Sequence, residues 1–492
     1  MAAEVPLPSG DPSETAILAS GGRVSFGGFL LRLLARMPFL FIAGRLYGSA
    51  EVGRFGYAIL VVELTAQLAT LGLKRGLAEE LARATRPQSH IVADALLLGW
   101  SLAAVGAALL LVFPAIVFPS GATTGFEHFF PLIALAIAGS DISLAALAFR
   151  HDIAAQVRAR SVIEPWTLTL VAVAIGFTAF KSDGLLIAYV ASMIAAVCAS
   201  LIPCARTFGV PRGWRPHPGR LFALARANVP LAGADIADWG SRRLDFFILG
   251  RFVSEDIVGI YFVAQNIASL PAKLKNSFDP ILAPLLTTSL ARGDTATVAK
   301  HVRQVAFWII TAQFAVVLGL GMTARASLGL FGPAFATGAT VLAILLTVEL
   351  LASQGAVAEA ALIYVQRKTN LAISMAGLVL QAALTLILVQ RYGSAAAAGS
   401  LAVSVLVVSI VKSKLLQSLL GTSVSGWRWS LFVAAVPAFV VGLGVQYLPE
   451  YAQLSVGLVA VLATFAAVVW VVGFRGPDRL LFQRKGAPAS LS

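Results

Sequence analysis

Six basic side chains lie inside stretches of sequence that otherwise have the composition of membrane-spanning helices. A cation at the centre of such a helix costs at least about 2.5–3.5 kcal/mol, so residues of this kind usually face a polar cavity and mark a substrate path. Cations that line a cavity bind anions, and the pattern therefore predicts a transporter for negatively charged cargo. The candidate binding residues are Arg32, Arg36, Arg242, Arg243, Lys273 and Lys275.

Acidic side chains also lie within the apolar stretches. Carboxylates at this depth can carry protons or bind sodium, or they can serve as fixed partners for basic residues. Asp235 and Asp238 stand one helical turn apart and Arg242 follows one turn later, a spacing that favours an ion-paired helix face. We interpret the acids as ion-pair partners, with ion coupling as the alternative. They are Glu63, Asp141, Asp235, Asp238, Glu349 and Glu359.

Composition places the chain in the polytopic membrane class. Of its 492 residues, 58% are hydrophobic and only 12% are charged, and the mean hydropathy is +0.85. A soluble domain carries about a quarter charged residues. The net charge of +13 could indicate nucleic acid as a partner, but Lys and Arg occur in short clusters between apolar stretches. That distribution is typical of membrane proteins, so we expect the lipid bilayer as a partner and no nucleic acid.

The basic clusters divide the sequence into fourteen apolar segments, each long enough to cross a bilayer, which takes roughly 17–25 residues. The segments are 24–44, 55–73, 91–118, 128–149, 162–180, 184–203, 229–250, 257–288, 304–323, 334–365, 371–390, 395–411, 430–448 and 454–474. We expect each of them to form a transmembrane helix, which makes the chain an all-α polytopic membrane protein.

The charge of the connecting loops predicts the orientation of the helices. Of the 37 Lys and Arg residues, few lie in loops that follow odd-numbered segments. These few are Arg45, Arg54, Lys181, Arg251, Arg325 and Arg391. Most of the others lie in the two tails and after even-numbered segments, which places both termini in the cytoplasm. Residues 1–22 lack the features of a secretory signal, so the first segment is expected to remain as a helix.

An ungapped match at an offset of 206 residues relates two halves of the chain. Residues 41–46 lie over 247–252 with Gly-Arg in register, and Val52-Gly53 lies over Val258-Gly259. Because the first and seventh segments begin on the same side of the membrane, the halves are predicted to be parallel repeats of six helices. Substrates of such transporters bind where the repeats meet.

The same offset places Arg36 over Arg242, so these arginines are predicted to face each other across a central cleft. The alternative is that Arg32 and Arg242 snorkel to lipid headgroups or pair with acids of their own lobe. The resulting organisation has a cytoplasmic tail (1–22), an N-terminal lobe (23–203), a basic cytoplasmic linker (204–228), a C-terminal lobe (229–418), an appended helix pair (419–474) and a second cytoplasmic tail (475–492).

Motifs for enzymatic chemistry are missing from the sequence. There is no Gly-x-x-x-x-Gly-Lys-Ser/Thr phosphate loop, so ATP hydrolysis is not expected. There is no His-Glu-x-x-His motif and no cluster of His and Cys, and we interpret Cys198 and Cys204 as ordinary apolar residues. The chain is therefore predicted not to be an enzyme and to need no metal or cofactor.

Two stretches carry motifs that point to one family. The first runs from Gly44 to Leu73 and contains Val52-Gly53-Arg54-Phe55-Gly56-Tyr57 and Leu71-Gly72-Leu73. The second contains Arg243-Leu244-Asp245, Ile248-Leu249-Gly250, Val258-Gly259-Ile260-Tyr261, Ala264 and Pro284. With these motifs and its two-lobed organisation, the chain resembles the polysaccharide transporter, or oligosaccharide flippase, branch of the multidrug/oligosaccharidyl-lipid/polysaccharide (MOP) exporter superfamily.

The resemblance implies two six-helix lobes in a MATE-like fold, and a flippase for an undecaprenyl-pyrophosphate-linked oligosaccharide. The cargo would cross the bacterial inner membrane for O-antigen, capsule or exopolysaccharide synthesis, with a polysaccharide polymerase or co-polymerase as a further partner. Because arginine offers phosphate a bidentate fork, Arg36, Arg242 and Arg243 are expected to hold the pyrophosphate. Arg32, Lys273 and Lys275 would extend the basic lining.

Three other functions stay open. A multidrug antiporter of the same superfamily would carry organic cations, which the intramembrane basic residues disfavour. A lipid II flippase would need the same basic cavity. A membrane-embedded glycosyltransferase or polymerase generally needs a sizeable loop with acidic catalytic residues, and the predicted outer loops are short.

Overall fold

The computed structural model describes residues 37–83, 86–121, 125–276 and 294–474, together with residues 286 and 478. Within these ranges the regular secondary structure is helical, without a strand. Eight of the described helices are long and apolar enough to cross a membrane. The predicted all-α membrane fold is confirmed, whereas the number of fourteen spans stays a prediction.

Contacts between Cα atoms group the chain into two compact units, one ending at Phe262 and the other beginning at Val263. The helices of the first unit are α1 (Met37–Tyr47), α2 (Ser49–Ala69), α3 (Leu73–Arg83), α4 (Gln88–Val112), α5 (Gly125–Phe149), α6 (Glu164–Gly176), α7 (Gly184–Phe208) and α8 (Pro218–Leu249). Helix α9 (Glu255–Asn276) begins in this unit. The lobes predicted from the repeat have other boundaries, and they stay a prediction.

The second unit contains α10 (Thr295–Met322), α11 (Ala339–Val365), α12 (Arg367–Leu420), α13 (Trp429–Val445) and α14 (Leu458–Val472). Helix α12 consists of two helices joined at Gly393, whose φ of 55° is a conformation that glycine adopts readily. The core of the unit forms where α10 packs against α13 and α14, with Phe307, Trp308 and Phe465 fully buried.

A sharp turn separates α2 from α3 and directs α3 along α8. Leu71 and Gly72 both have positive φ, 47° and 74°. A Cβ atom on Gly72 would lie 2.7 Å from the backbone nitrogen of Ala232, so glycine is required for the close approach of α8. Leu73, Leu77 and Leu81 recur every four residues and are fully buried against α4 and α5. The rest of α3 therefore carries the polar side chains.

The glycines matched by the repeat, Gly53 and Gly259, meet where α2 crosses the first part of α9. A Cβ on Gly53 would overlap the carbonyl oxygen of Glu255 and lie 2.7 Å from the backbone nitrogen of Gly259. A Cβ on Gly259 would lie 2.8 Å from the nitrogen of Gly53. Beside this crossing, Ser49 Oγ donates a hydrogen bond to Asp256 Oδ1 (2.5 Å). Small residues thus allow the two helix backbones to touch.

Candidate functional site

A cavity of about 300 Å³ lies between α2–α3 and α8 within the first unit. Four basic side chains and two carboxylates line it, and two further carboxylates, Asp141 and Glu63, contact Lys74 and Arg243 from outside the wall. The lining residues are Gln67, Lys74, Arg75, Asp235, Asp238, Trp239, Arg242 and Arg243. The basic side chains of the wall can donate hydrogen bonds to an anionic ligand.

Helical periodicity brings these residues together. Residues 235, 238, 239, 242 and 243 of α8 are three or four positions apart and share one helix face. Because this face is charged, α8 is not among the eight described helices that are apolar enough to span a membrane. Lys74 and Arg75 come from α3, directly after the buried Leu73.

Asp141, one of the predicted intramembrane acids, is the centre of a cluster of ion pairs. Lys74 Nζ lies 2.6 Å from Asp141 Oδ2, and Arg160 contacts the other carboxylate oxygen. Arg160 Nη1 also pairs with Glu164 at 2.7 Å. Asp141 therefore ties α3 and α5 to the segment before α6. This geometry agrees with the pairing interpretation of Asp141.

Asp235 likewise holds a basic residue of the cavity wall. Arg75 Nη2 lies 3.0 Å from Asp235 Oδ1, and Asp235 is only 5% exposed. The contact joins α3 to α8 and fixes one side of the cavity.

Arg242 and Arg243 reach the cavity while they contact acids at longer distances. Arg242 Nε lies 3.4 Å from Asp238 Oδ1, and both side chains are more than half exposed. Arg243 Nη1 lies 3.6 Å from Glu63 Oε2, with about a third of each side chain exposed. Glu63 Oε1 also accepts a hydrogen bond from the hydroxyl group of Tyr189 (3.3 Å). Both arginines therefore present donors to a ligand without being isolated charges.

The structure does not describe the side chains of the remaining predicted binding residues. Arg32 and Arg36 lie outside the described residues. Lys273 and Lys275 belong to α9, but their side chains lie outside the described part of the structure. The central cleft in which Arg36 would face Arg242 accordingly stays a prediction.

One predicted acid belongs to the second unit. Glu359 Oε2 of α11 lies 3.1 Å from Lys412 Nζ of α12. Lys412 is buried and also donates a hydrogen bond to Ser374 Oγ (2.8 Å). A contact of this kind again agrees with pairing.

Sequence reasoning missed four residues of the cavity wall: Gln67, Lys74, Arg75 and Trp239. Lys74 and Arg75 follow the second predicted segment, 55–73, where basic residues are expected to form a cytoplasmic loop. The four-residue repeat of leucine from Leu73 onward was the available signal that this stretch is a helix with a polar face. No comparable signal marks Gln67 or Trp239.

Comparison with protein families identifies the chain more specifically. The model of the family described as "Polysaccharide biosynthesis protein" matches residues 42–332, which is more than half of the sequence. The chain belongs to this family. The match includes both stretches that carry the resemblance, and the predicted membership of a polysaccharide family is confirmed. No curated protein matches the chain.

Solved structures show which fold this family member has. The lipid II flippase MurJ, in an inward closed conformation, is similar with a TM-score of 0.70 at 10% identity, over 91% of this chain and 98% of its own. An inward-facing MATE family multidrug resistance transporter gives 0.60 at 15% identity, over 80% and 94%. A MOP superfamily transporter from Pyrococcus furiosus, described as having a binding pocket of reversed polarity, gives 0.55 at 16%, over 83% and 96%. At these identities the similarity establishes the MOP transporter fold alone.

Proposed function

We propose that the protein is a flippase that translocates a lipid-linked oligosaccharide, carried on undecaprenyl pyrophosphate, across the bacterial inner membrane by alternating access. Family membership supports polysaccharide biosynthesis as the process, and the fold supports transport. The observation that supports the substrate class is the pair Arg242 and Arg243, which line the cavity beside α8 and contact carboxylates only at 3.4 and 3.6 Å. O-antigen, capsule and exopolysaccharide pathways all use such a carrier, and both termini of the protein would lie in the cytoplasm.

The pyrophosphate headgroup would bind at Arg242 and Arg243. A phosphate must replace its water with charge-assisted hydrogen bonds before it enters a membrane, and each guanidinium supplies several N–H donors in a fixed plane. Arg36 is proposed to contribute from the first predicted helix, with Arg32, Lys273 and Lys275 extending the basic surface. The sugars would occupy aqueous space, and the polyprenyl chain would stay in lipid.

Alanine replacement of Arg242 and Arg243 tests the proposal. Loss of one charge-assisted hydrogen bond typically costs about 1.5–3 kcal/mol, so each single variant should bind the headgroup about 10- to 100-fold more weakly. We expect surface glycan to fall in a strain whose own copy is deleted, while immunoblots find normal protein in the membrane fraction. Arg303→Ala, at an exposed arginine of α10, is the matched control. Normal export by the double variant would refute the proposal.

A lipid II flippase is the alternative, because its cargo carries the same pyrophosphate. Deletion of the gene separates the two functions: loss of a lipid II flippase should block wall synthesis, whereas loss of a surface-glycan flippase usually leaves viable cells. A multidrug antiporter for organic cations is disfavoured because each carboxylate of the cavity wall already contacts an arginine. Resistance to cationic drugs should therefore not change on deletion.

A further inference from the structure

Arg243 is shared between the cavity and the carboxylate of Glu63. The guanidinium lines the cavity, and its Nη1 lies 3.6 Å from Glu63 Oε2. Asp141, in contrast, holds Lys74 at 2.6 Å. A distance of 3.6 Å between two partly exposed side chains is an ion pair without a close hydrogen bond. Such pairs contribute little free energy, so an incoming anion can replace the carboxylate.

Glu63 is held in place independently of Arg243. Its Oε1 accepts a hydrogen bond from Tyr189, whose ring packs against Phe55 (6.0 Å between ring centroids) and Phe130 (6.2 Å). Glu63 does not line the cavity itself. It therefore competes for Arg243 from outside the cavity wall, and it remains there when Arg243 turns toward a ligand.

The neighbouring arginine has a similar arrangement. Arg242 Nε and Nη2 both lie 3.4 Å from Asp238 Oδ1, and both side chains are more than half exposed. Two adjacent guanidinium groups thus each contact a carboxylate at a distance longer than a strong charge-assisted hydrogen bond of about 2.7–2.9 Å.

We propose that Glu63 is an internal counter-ion that competes with the phosphate groups of the substrate for Arg243, and that Asp238 does the same for Arg242. The inference rests on the proposed function. A bidentate phosphate draws the guanidinium away from the carboxylate on binding, and the ion pair forms again when the phosphate leaves. Neither the loaded nor the empty cavity then contains an uncompensated cation, which would be costly within the membrane. The two carboxylates weaken binding and accelerate release.

Glu63→Gln tests this role, because the amide keeps the volume of the side chain and an oxygen for Tyr189 but removes the charge. The probe is farnesyl pyrophosphate, titrated into the purified full-length protein in detergent at fixed ionic strength. We expect its Kd to fall about two- to fivefold, which corresponds to about 0.4–1 kcal/mol and is the range of a partly exposed ion pair. In proteoliposomes, flipping of a fluorescent polyprenyl pyrophosphate at saturating concentration should become slower.

Glu80→Gln is the matched control. Glu80 pairs with Arg83 at 3.3 Å on α3 and is not part of the cavity wall, so the substitution removes one negative charge elsewhere. It should leave both the Kd and the flipping rate unchanged. Asp238→Asn, at a more exposed site than Glu63, provides a second variant for which the Kd should also fall.

The possible outcomes separate this inference from the proposed function. An unchanged or weaker affinity in Glu63→Gln and Asp238→Asn, while Arg243→Ala loses binding, would overturn the counter-ion role alone. An equal gain in Glu80→Gln would also overturn it, because the effect would then be one of overall charge. Probe binding that is insensitive to alanine at both Arg242 and Arg243 would instead remove the proposed function.

Discussion

Replacement of Gly53 by alanine is expected to destabilise the protein by about 1–3 kcal/mol. The new Cβ would overlap the carbonyl oxygen of Glu255 and lie 2.7 Å from the nitrogen of Gly259, whereas ordinary van der Waals contact begins at 3.4 Å. The obstacles are backbone atoms, which no side-chain rotation can move, so α2 and α9 must separate by more than about 0.7 Å, the distance that the contact with Gly259 alone requires. Overpacking of this kind typically costs about 1–3 kcal/mol.

Thermal unfolding followed with a thiol-reactive dye measures this effect. Cys204 is 3% exposed and becomes reactive on unfolding, whereas the exposed Cys198 is first replaced by serine to lower the background signal. Gly233→Ala is the matched control: Gly233 lies within α8, and a Cβ there would meet nothing within 4 Å. Alanine at that site should be neutral or stabilise the protein by up to about 1 kcal/mol.

The comparison of these variants decides whether the close helix crossing exists. Gly259→Ala should lower the unfolding temperature in the same direction as Gly53→Ala. The double variant should lose less than the sum of the two effects, because both methyl groups enter one gap and the helices need to separate only once. A Gly53→Ala protein as stable as Gly233→Ala would refute the reasoning.

Two further substitutions test contacts of the first unit. Asp141→Ala should lower stability by about 3 kcal/mol in the same dye assay, because Lys74 and Arg160 lose the carboxylate that they share; wild-type stability would contradict the cluster. Asp94→Ala should accelerate tryptic cleavage after Arg212, the arginine of segment 209–217 that is not followed by proline. The buried Asp94 accepts a hydrogen bond from Trp214 Nε1 (2.8 Å) and so holds this segment against α4. An unchanged cleavage rate would show that other contacts hold the segment.

Composition and periodicity were sufficient to predict the helical membrane fold, since a chain with so few charges can satisfy its backbone in lipid only as helices or a closed barrel. The internal repeat predicted more than topology. The offset of 206 residues, found from the sequence alone, aligned Gly53 with Gly259, and these two residues are in contact where α2 crosses α9. Glycine was informative here because the close approach of two backbones leaves no space for a larger residue.

Other features depend on contacts that the sequence does not specify. In the sequence, Lys74 and Arg75 are typical of a loop. In the structure, the positive φ values of Leu71 and Gly72 turn the chain so that α3 lies along α8 and both residues belong to a helix. The basic linker makes a contact that its sequence does not indicate: Trp214 donates a hydrogen bond to Asp94, which lies 120 positions earlier in the chain. Distances in the ion pairs depend on rotamers and helix rotation, which local pattern does not determine.

The size of the cavity limits which part of a ligand it can hold. A volume of about 300 Å³ lies at the lower end of the range of about 300–1,000 Å³ that small-molecule sites occupy, a size that suits a headgroup rather than a polymer. If this cavity binds the diphosphate headgroup, the residues of its wall need not match the carbohydrate that the headgroup carries. Under the proposed function, one protein of this kind would accept lipid carriers that bear different sugars.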